Sequence, residues 1–330
     1  MDAPRGAAAT FPVVAIGGSA GALEALQTIV SGLSPEFPGA IFVTSHTPTD
    51  TVSALPHILG RRSPIFVGHA LDGAPVMPGR LLIAPPNHHL VFSDGVMRVV
   101  MGPTENNSRP SIDVMFRSAA STFDSRLCGV LLSGTLDDGV SGLKAIHAAG
   151  GMVMVQDPDD AQFSDMPQNA LNSGVVDHKL PANELVPALE SWMKGLKPSH
   201  GAAVTKKPLD ERVVGTPSVF TCPDCSGTLW IVDEESLLRF RCRVGHAYST
   251  KAMLDAQGES LEAALWMAVR ALQERRDLLL RVAENAPGGE QSALARRMRR
   301  KADELSAAFD QLQAAVTELS ARESSPRDAS

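Results

Sequence analysis

VVAIGGSAGALEAL, residues 13–26, decides the fold. Val13 to Ile16 are apolar without a break, which suits a strand buried on both faces of a parallel sheet. Gly17-Gly18-Ser19-Ala20-Gly21 then supplies a turn of small residues. Leu23, Leu26, Ile29 and Val30 follow at helical spacing, so the chain passes from strand through a tight turn into a helix. The turn itself reads G-x-S-x-G. In that context the serine hydroxyl is exposed, and the free N–H groups of the helix N-terminus suit an oxyanion. The plain alternatives are a phosphate-binding turn or a simple strand–helix connection.

Outward from this unit the pattern repeats. Apolar runs occur at 12–16, 40–45, 64–67, 80–84, 129–133 and 152–155, with helix-like stretches between several of them. Alternation of this kind predicts a doubly wound, mostly parallel α/β sheet over residues 11–195. HHLVFSDGVMRVV is the exception and predicts a hairpin around Asp94-Gly95. Residues 1–10 read as a flexible tail. Residues 196–218, rich in Pro, Gly, Lys and Ser, read as a linker. Residues 219–250 hold a Cys/His cluster, residues 255–322 a helical hairpin or coiled coil, and 323–330 a disordered tail. The second helix, from about 290 to 321, places Ala295, Met298, Ala302, Leu305, Phe309, Leu312, Val316 and Leu319 on an a/d stripe.

The second strand ends in Ser45-His46, and the strand near 129–133 is followed by Asp137-Asp138. Strands of a parallel sheet carry their carboxyl ends on one edge, where ligands bind. Ser19, His46 and an aspartate therefore meet on one rim, as a Ser–His–Asp triad requires. Taken singly, His46 reads as a surface histidine and the two aspartates as helix N-caps. Spacing alone leaves Asp137 and Asp138 equal. A dinucleotide site is disfavoured: the turn is not G-x-G-x-x-G, and the second strand ends in a histidine rather than an acidic residue.

Several motifs in order, from about residue 12 to 190, carry a resemblance: VVAIGGSAGALEAL, TSHTP, GRLLIAPPNHHL, NNSRPSIDVMF, GVLLSGTLDDGVSGL and QDPDDAQFSDMPQNAL followed by SGVVD. Together they resemble the CheB-type protein-glutamate methylesterase domain of chemotaxis. The resemblance implies a catalytic nucleophile at Ser19, a general base at His46 and Asp138 as third member, since the family's aspartate directly precedes the glycine matched by Gly139. It implies hydrolysis of glutamate γ-methyl esters on chemoreceptors, with deamidation of glutamine by the same acyl chemistry, and no cofactor for catalysis. Ala20, Thr135, Leu136 and Asp137 depart from the family's usual residues and bear on rate and substrate choice. Only about ten residues precede the first strand, so control by a phosphorylated receiver domain in cis is not expected. His88, His89, Arg109 and Met166-Pro167 also lie in family-like motifs. The two histidines read as a strand-edge pair, Met166-Pro167 as a rim or packing element, and Arg109 as either a cleft residue or a surface cation.

Cys222, Cys225, Cys242 and His246 form C-x2-C-x16-C-x3-H. Two knuckles of this spacing suit structural, tetrahedral Zn2+, with TLWIVDEESLLRFR between them as the hairpin of a zinc ribbon. The plain alternative is a loop with redox-sensitive thiols. Arg239, Arg241 and Arg243 permit a partner surface or a solvated strand face.

The remaining bulk numbers narrow the class. Hydrophobic residues make up 44%, charged residues 20%, and net charge is −7. Acidic balance and scarce aromatics argue against nucleic acid, and no apolar run is long enough for membrane insertion. With no signal-peptide pattern, a cytoplasmic location is expected. The C-terminal helices are expected to form a homodimer or to dock on a receptor's helical bundle; the basic run Arg296, Arg297, Arg299, Arg300, Lys301 reads mainly as a solvated face. A scaffold without catalysis, binding partners through ribbon and helices, is the competing expectation.

Overall fold

The computed structural model describes residues 11–46, 53–93, 95–196, 215–234, 237–287 and 289–323. Residues 1–10 and 324–330 of the expected tails, most of the expected linker, and Asp94 of the expected hairpin turn lie outside the described residues; Glu323, expected in the C-terminal tail, is helical.

The first part of the chain runs β1 (Val13–Gly18), α1 (Ala22–Gly32), β2 (Ala40–Ser45), α2 (Leu55–Gly60), β3 (Phe66–His69), β4 (Arg80–Ile83), β5 (His89–Ser93) and β6 (Val96–Val100). It continues through α3 (Ile112–Phe123), β7 (Leu127–Leu131), α4 (Val140–Ala148), β8 (Met152–Gln156), α5 (Asp165–Asn172), β9 (His178–Leu180) and α6 (Ala182–Gly195). Seven strands form one parallel sheet in the order β3-β4-β2-β1-β7-β8-β9. The doubly wound α/β expectation holds.

β1 shows why its residues had to be apolar throughout. Val13 and Ala15 face a core shared with α3, α4 and the β5–β6 hairpin. Val14 and Ile16 face the opposite core, built with α1 and α6. All four are fully buried, which a half-solvated alternating strand would not tolerate. On α1 the buried residues are Ala22, Ala25, Leu26, Ile29 and Val30, while Leu23 is 43% exposed.

The sequence order turns at β1: one neighbour, β2, follows directly, and the other, β7, comes later in the chain. A switch of this kind opens a crevice beyond the carboxyl ends of the strands. Three strand positions differ from expectation. β3 sits two residues later than the run at 64–67. β7 begins two residues earlier than the run at 129–133, because Leu127 and Cys128 are paired to Val13 and Val14 and fully buried. β9 was not marked at all: its His178 and Lys179 are exposed edge residues without alternation.

Beyond the sheet, β10 (Thr216–Thr221), β11 (Thr228–Glu234), β12 (Leu237–Cys242) and β13 (Ala247–Ser249) form an antiparallel four-stranded sheet in chain order. It belongs to the same compact unit as the α/β sheet, which extends to Met253; a second unit begins at Leu254. The helices α7 (Thr250–Glu284) and α8 (Ala293–Glu323) make a helical hairpin, which belongs to that second unit from Leu254 onward. There Ala283, Ala286 and Ala295 pack with Met298, and Arg276 lies over the Phe309 ring at 5.6 Å. The described a/d residues of α8 are its less exposed stripe, with Ala295, Ala302 and Val316 buried.

Candidate active site

Ser19 leaves the end of β1 on a turn that only small residues permit. A Cβ on Gly17 would stand 2.3 Å from Ile112 Cγ2, and one on Gly18 2.6 Å from Ala22 Cβ. Gly21 has φ 74°, a left-handed conformation that glycine adopts without strain. The Ser19 N–H donates to the Ser133 carbonyl at 2.9 Å. Ser133 braces the same turn from the β7 side: its hydroxyl donates to the Ala20 carbonyl at 2.8 Å and accepts the Phe163 N–H at 2.9 Å.

His46 follows β2, and Asp138 follows β7. They meet through Nε2 and Oδ2 at 2.7 Å, with side-chain exposures of 22% and 3%. With Nε2 donating to the carboxylate, Nδ1 is left as the ring's basic nitrogen. Asp137 does not share this role; its Oδ1 accepts the Ser249 hydroxyl at 2.5 Å.

The Asp138 carboxylate is surrounded by donors. Oδ2 also accepts the Ile112 N–H at 2.7 Å. Oδ1 accepts the Asn106 amide at 2.9 Å, the Ser111 hydroxyl at 2.9 Å and the Asp113 N–H at 3.2 Å. Ile112 and Asp113 open α3, so its N-terminal N–H groups and positive dipole end converge on the buried anion. Burial works to raise the Asp138 carboxyl. The His46, Asn106 and Ile112 hydrogen bonds outweigh it, and the net displacement is downward. Asp138 is thus held ionised, with the His46 ring as its hydrogen-bond partner.

Asp113 is the neighbouring acid. Its Oδ1 accepts the N–H groups of Gly139 and Gly142 at 3.1 and 2.7 Å, and its Oδ2 accepts Asn106 Nδ2 at 3.0 Å. Burial, followed by the charge of Asp138, pushes Asp113 up to about 7.

The other motif residues take supporting places. His89 is 2% exposed; its Nε2 bonds the Pro103 carbonyl at 2.8 Å, and its Nδ1 accepts the Ser111 N–H at 3.2 Å. Desolvation lowers its pKa, so it is a neutral brace for the loop before α3. His88 Nδ1 bonds the Pro86 carbonyl at 2.9 Å. Arg109 clamps the same loop, donating to Asn87 Oδ1 at 2.8 and 2.7 Å and to the Gly102 carbonyl at 2.6 Å. Met166 is fully buried against the rim at Gly134, where an added Cβ would stand 2.0 Å from its sulfur. Asn106, Ser111 and Asp113 were not singled out from sequence. They lie inside NNSRPSID, where polar residues read as an ordinary turn; their only signal was membership of that motif.

Cys222, Cys225, Cys242 and His246 also converge, with one ligand-type atom from each lying within 4.8 Å of the others. Cys225 Sγ is 3.7 Å from Cys242 Sγ; His246 Nδ1 is 3.6 Å from Cys222 Sγ and 3.5 Å from Cys242 Sγ. A tetrahedral zinc site with Zn–S of ~2.3 Å and Zn–N of ~2.0–2.1 Å has edges of about 3.8 and 3.6 Å. The donor set therefore fits such an ion. Asp224 Oδ2 lies 3.8 Å from His246 Nε2, where a carboxylate can orient a metal-ligating imidazole.

The family model for CheB methylesterase matches residues 14–189. A protein-glutamate methylesterase/protein-glutamine glutaminase of Anaeromyxobacter dehalogenans is 39% identical over 188 residues, covering 57% of this chain and 55% of its own length. One of Geobacter sulfurreducens is 40% identical over 179 residues, covering 53% and 48%. The chain thus spans about half the length of these relatives. The CheB methylesterase catalytic domain of Thermotoga maritima superimposes with a TM-score of 0.54 at 29% identity, over 57% of this chain and all of that one.

Proposed function

The chain belongs to the CheB methylesterase family, and on that premise we propose that it is a protein-glutamate methylesterase acting through Ser19, His46 and Asp138. The observation carrying this reading is the 2.7 Å bond between His46 and Asp138, made at the ends of two strands that flank the turn bearing Ser19. Ser19 Oγ attacks the ester carbonyl and gives its proton to His46 Nδ1. Asp138 steadies the ring and its charge. The tetrahedral adduct expels the alkoxide, which leaves as methanol with the proton from His46. Water then takes the same path and releases the glutamate. A glutamine side chain would lose ammonia by the same steps.

The substrates are methylated chemoreceptors or kindred signalling proteins, met in the cytoplasm. Among the described residues no helix is long and apolar enough to cross a membrane. The cysteine–histidine cluster holds Zn2+ in a structural role, since all four positions are protein ligands. When bound, the ion supplies folding energy to a sheet with few buried side chains among its described residues. The C-terminal helices, with exposed Leu254, Leu261, Met267 and Leu278, offer the surface that docks on a receptor's helices or on a second copy.

The test is methanol release from a methylated receptor fragment. Ser19→Ala should lower it by ~10⁴-fold or more, to the residual level left when a triad nucleophile is removed. Equal release from both proteins would falsify the assignment of Ser19. No release from the intact, zinc-loaded chain on several receptors would favour the scaffold instead.

A further inference from the structure

The antiparallel ribbon does not merely follow the catalytic sheet in sequence. It closes over the loop that carries Asn106. The Asn106 N–H donates to the Ala247 carbonyl at 2.9 Å, and the Ala247 N–H donates back to Thr104 at 3.3 Å. The Ser249 N–H donates to Asn106 Oδ1 at 2.8 Å. Ala247 is the residue next to His246, one of the four metal-ligand candidates. Asp224, between Cys222 and Cys225, accepts the Thr104 hydroxyl at 2.5 Å. Both knuckles of the metal site are therefore fastened to residues 104–106.

Asn106 carries that fastening inward. It is 4% exposed and has φ 51°, a left-handed conformation that asparagine adopts more readily than most residues. One end of its carboxamide is held by β13. The other end donates to Asp138 and to Asp113 at 2.9 and 3.0 Å. Glu105, beside it, forms an ion pair with Arg117 of α3 at 2.7 Å and another with Arg239 of β12. Burial alone would raise the Glu105 carboxyl; Arg117 and then Arg239 outweigh it and hold it well below the usual carboxylate range. Arg239 also donates to the Ser141 hydroxyl of α4 at 2.9 Å.

Among the described residues, the ribbon's buried apolar side chains are few: Leu229, Phe240, Ala247 and Tyr248, beside Cys222 and Cys242. A sheet with so small a core depends on its metal for order. We propose that Asn106 is a positioning residue for Asp138, and that a metal ion at Cys222, Cys225, Cys242 and His246 sets esterase turnover by holding Asn106 through β13. The inference rests on the esterase reading, and what it adds is the dependence of the triad on a metal site outside the matched catalytic region.

The experiment uses the full chain, kept reduced, either loaded with Zn2+ or stripped by a chelator. Methanol release and hydrogen exchange of residues 103–113 are followed together. Stripping should lower kcat by about 10–100-fold, the scale on which supporting partners act, with KM little changed, and should raise exchange in 103–113. Re-adding Zn2+ should restore both. Asn106→Ala, loaded with Zn2+, should show the reduced kcat without loss of exchange protection in the ribbon, and stripping it should lower kcat little further. Chelation that frees exchange in 216–249 but leaves both 103–113 and kcat unchanged overturns the proposal. If the loaded chain is inactive on every receptor, the esterase reading fails on its own; metal-dependent protection of 103–113 still decides whether the ribbon holds the loop.

Discussion

A proton on Asp113 changes the charge beside Asp138. Asp113 is pushed from its ordinary 3.8 up to about 7, so the folded chain keeps a proton that the unfolded chain has lost. A raised carboxyl contributes stability that is full below the ordinary value and is lost as pH rises through about 7. Asp113→Asn has no such proton. Its deficit in unfolding temperature against the parent should be largest near pH 5 and shrink toward pH 8, the window set by that displacement. Thermal unfolding followed by circular dichroism reads this directly, and a deficit that stays constant across the window would count against the raised pKa. The same residues mark what could be read from sequence. Ser19 and His46 could be nominated because each stands just beyond an apolar run, Ser19 after two glycines and His46 directly. Choosing between Asp137 and Asp138 was not possible from spacing, because the choice depends on which carboxylate the N-terminus of α3 meets. Asn106 was less legible still: it is bonded by Ser249, 143 positions downstream, and no local pattern encodes such a partner. Leu136 adopts φ 62°, a left-handed conformation that glycine would take with less strain.

At the level of elements, α3 is the piece on which the site depends. It supplies two N–H groups to Asp138, and its Ile112 packs against Gly17 of β1. Gly17→Ala would drive a methyl group into Ile112 Cγ2. The expected result is a loss of roughly 1–3 kcal/mol, the usual cost of overpacking a filled core, with a disproportionate loss of turnover as α3 shifts off Asp138. Denaturant unfolding and kcat measured on the same preparation test this; unchanged stability would mean that α3 gives way freely. Central strands were readable because burial on both faces demands an apolar run. The β5–β6 hairpin was readable from its turn. β9 was not, since an edge strand of three residues with polar side chains carries neither signal.

For the whole molecule, the second unit, from Leu254, holds most of α7 and all of α8. If those helices recruit the receptor, deleting residues 255–330 should raise the apparent KM for an intact receptor about 10-fold or more, on the scale of 1.4 kcal/mol per decade, and leave kcat on a short methyl-ester peptide unchanged. Equal affinity for the receptor with and without them would remove that role. The α/β class and the helical hairpin were visible in the periodicity of the chain. Packing the cysteine-bearing sheet into the catalytic unit was not, because the contacts joining them are hydrogen bonds and ion pairs between distant polar residues.

The closure of β13 over Asn106 also has a consequence in time. A ribosome makes chain at ~5–20 residues per second, so residues 13–195 emerge and can pack some seconds before Ser249 exists to bind Asn106. During that interval the nascent sheet has the turn bearing Ser19 and the strand that leads to His46 but lacks the strand that holds Asn106. The contacts around Asp138 are therefore completed only after the sheet that carries it has been made.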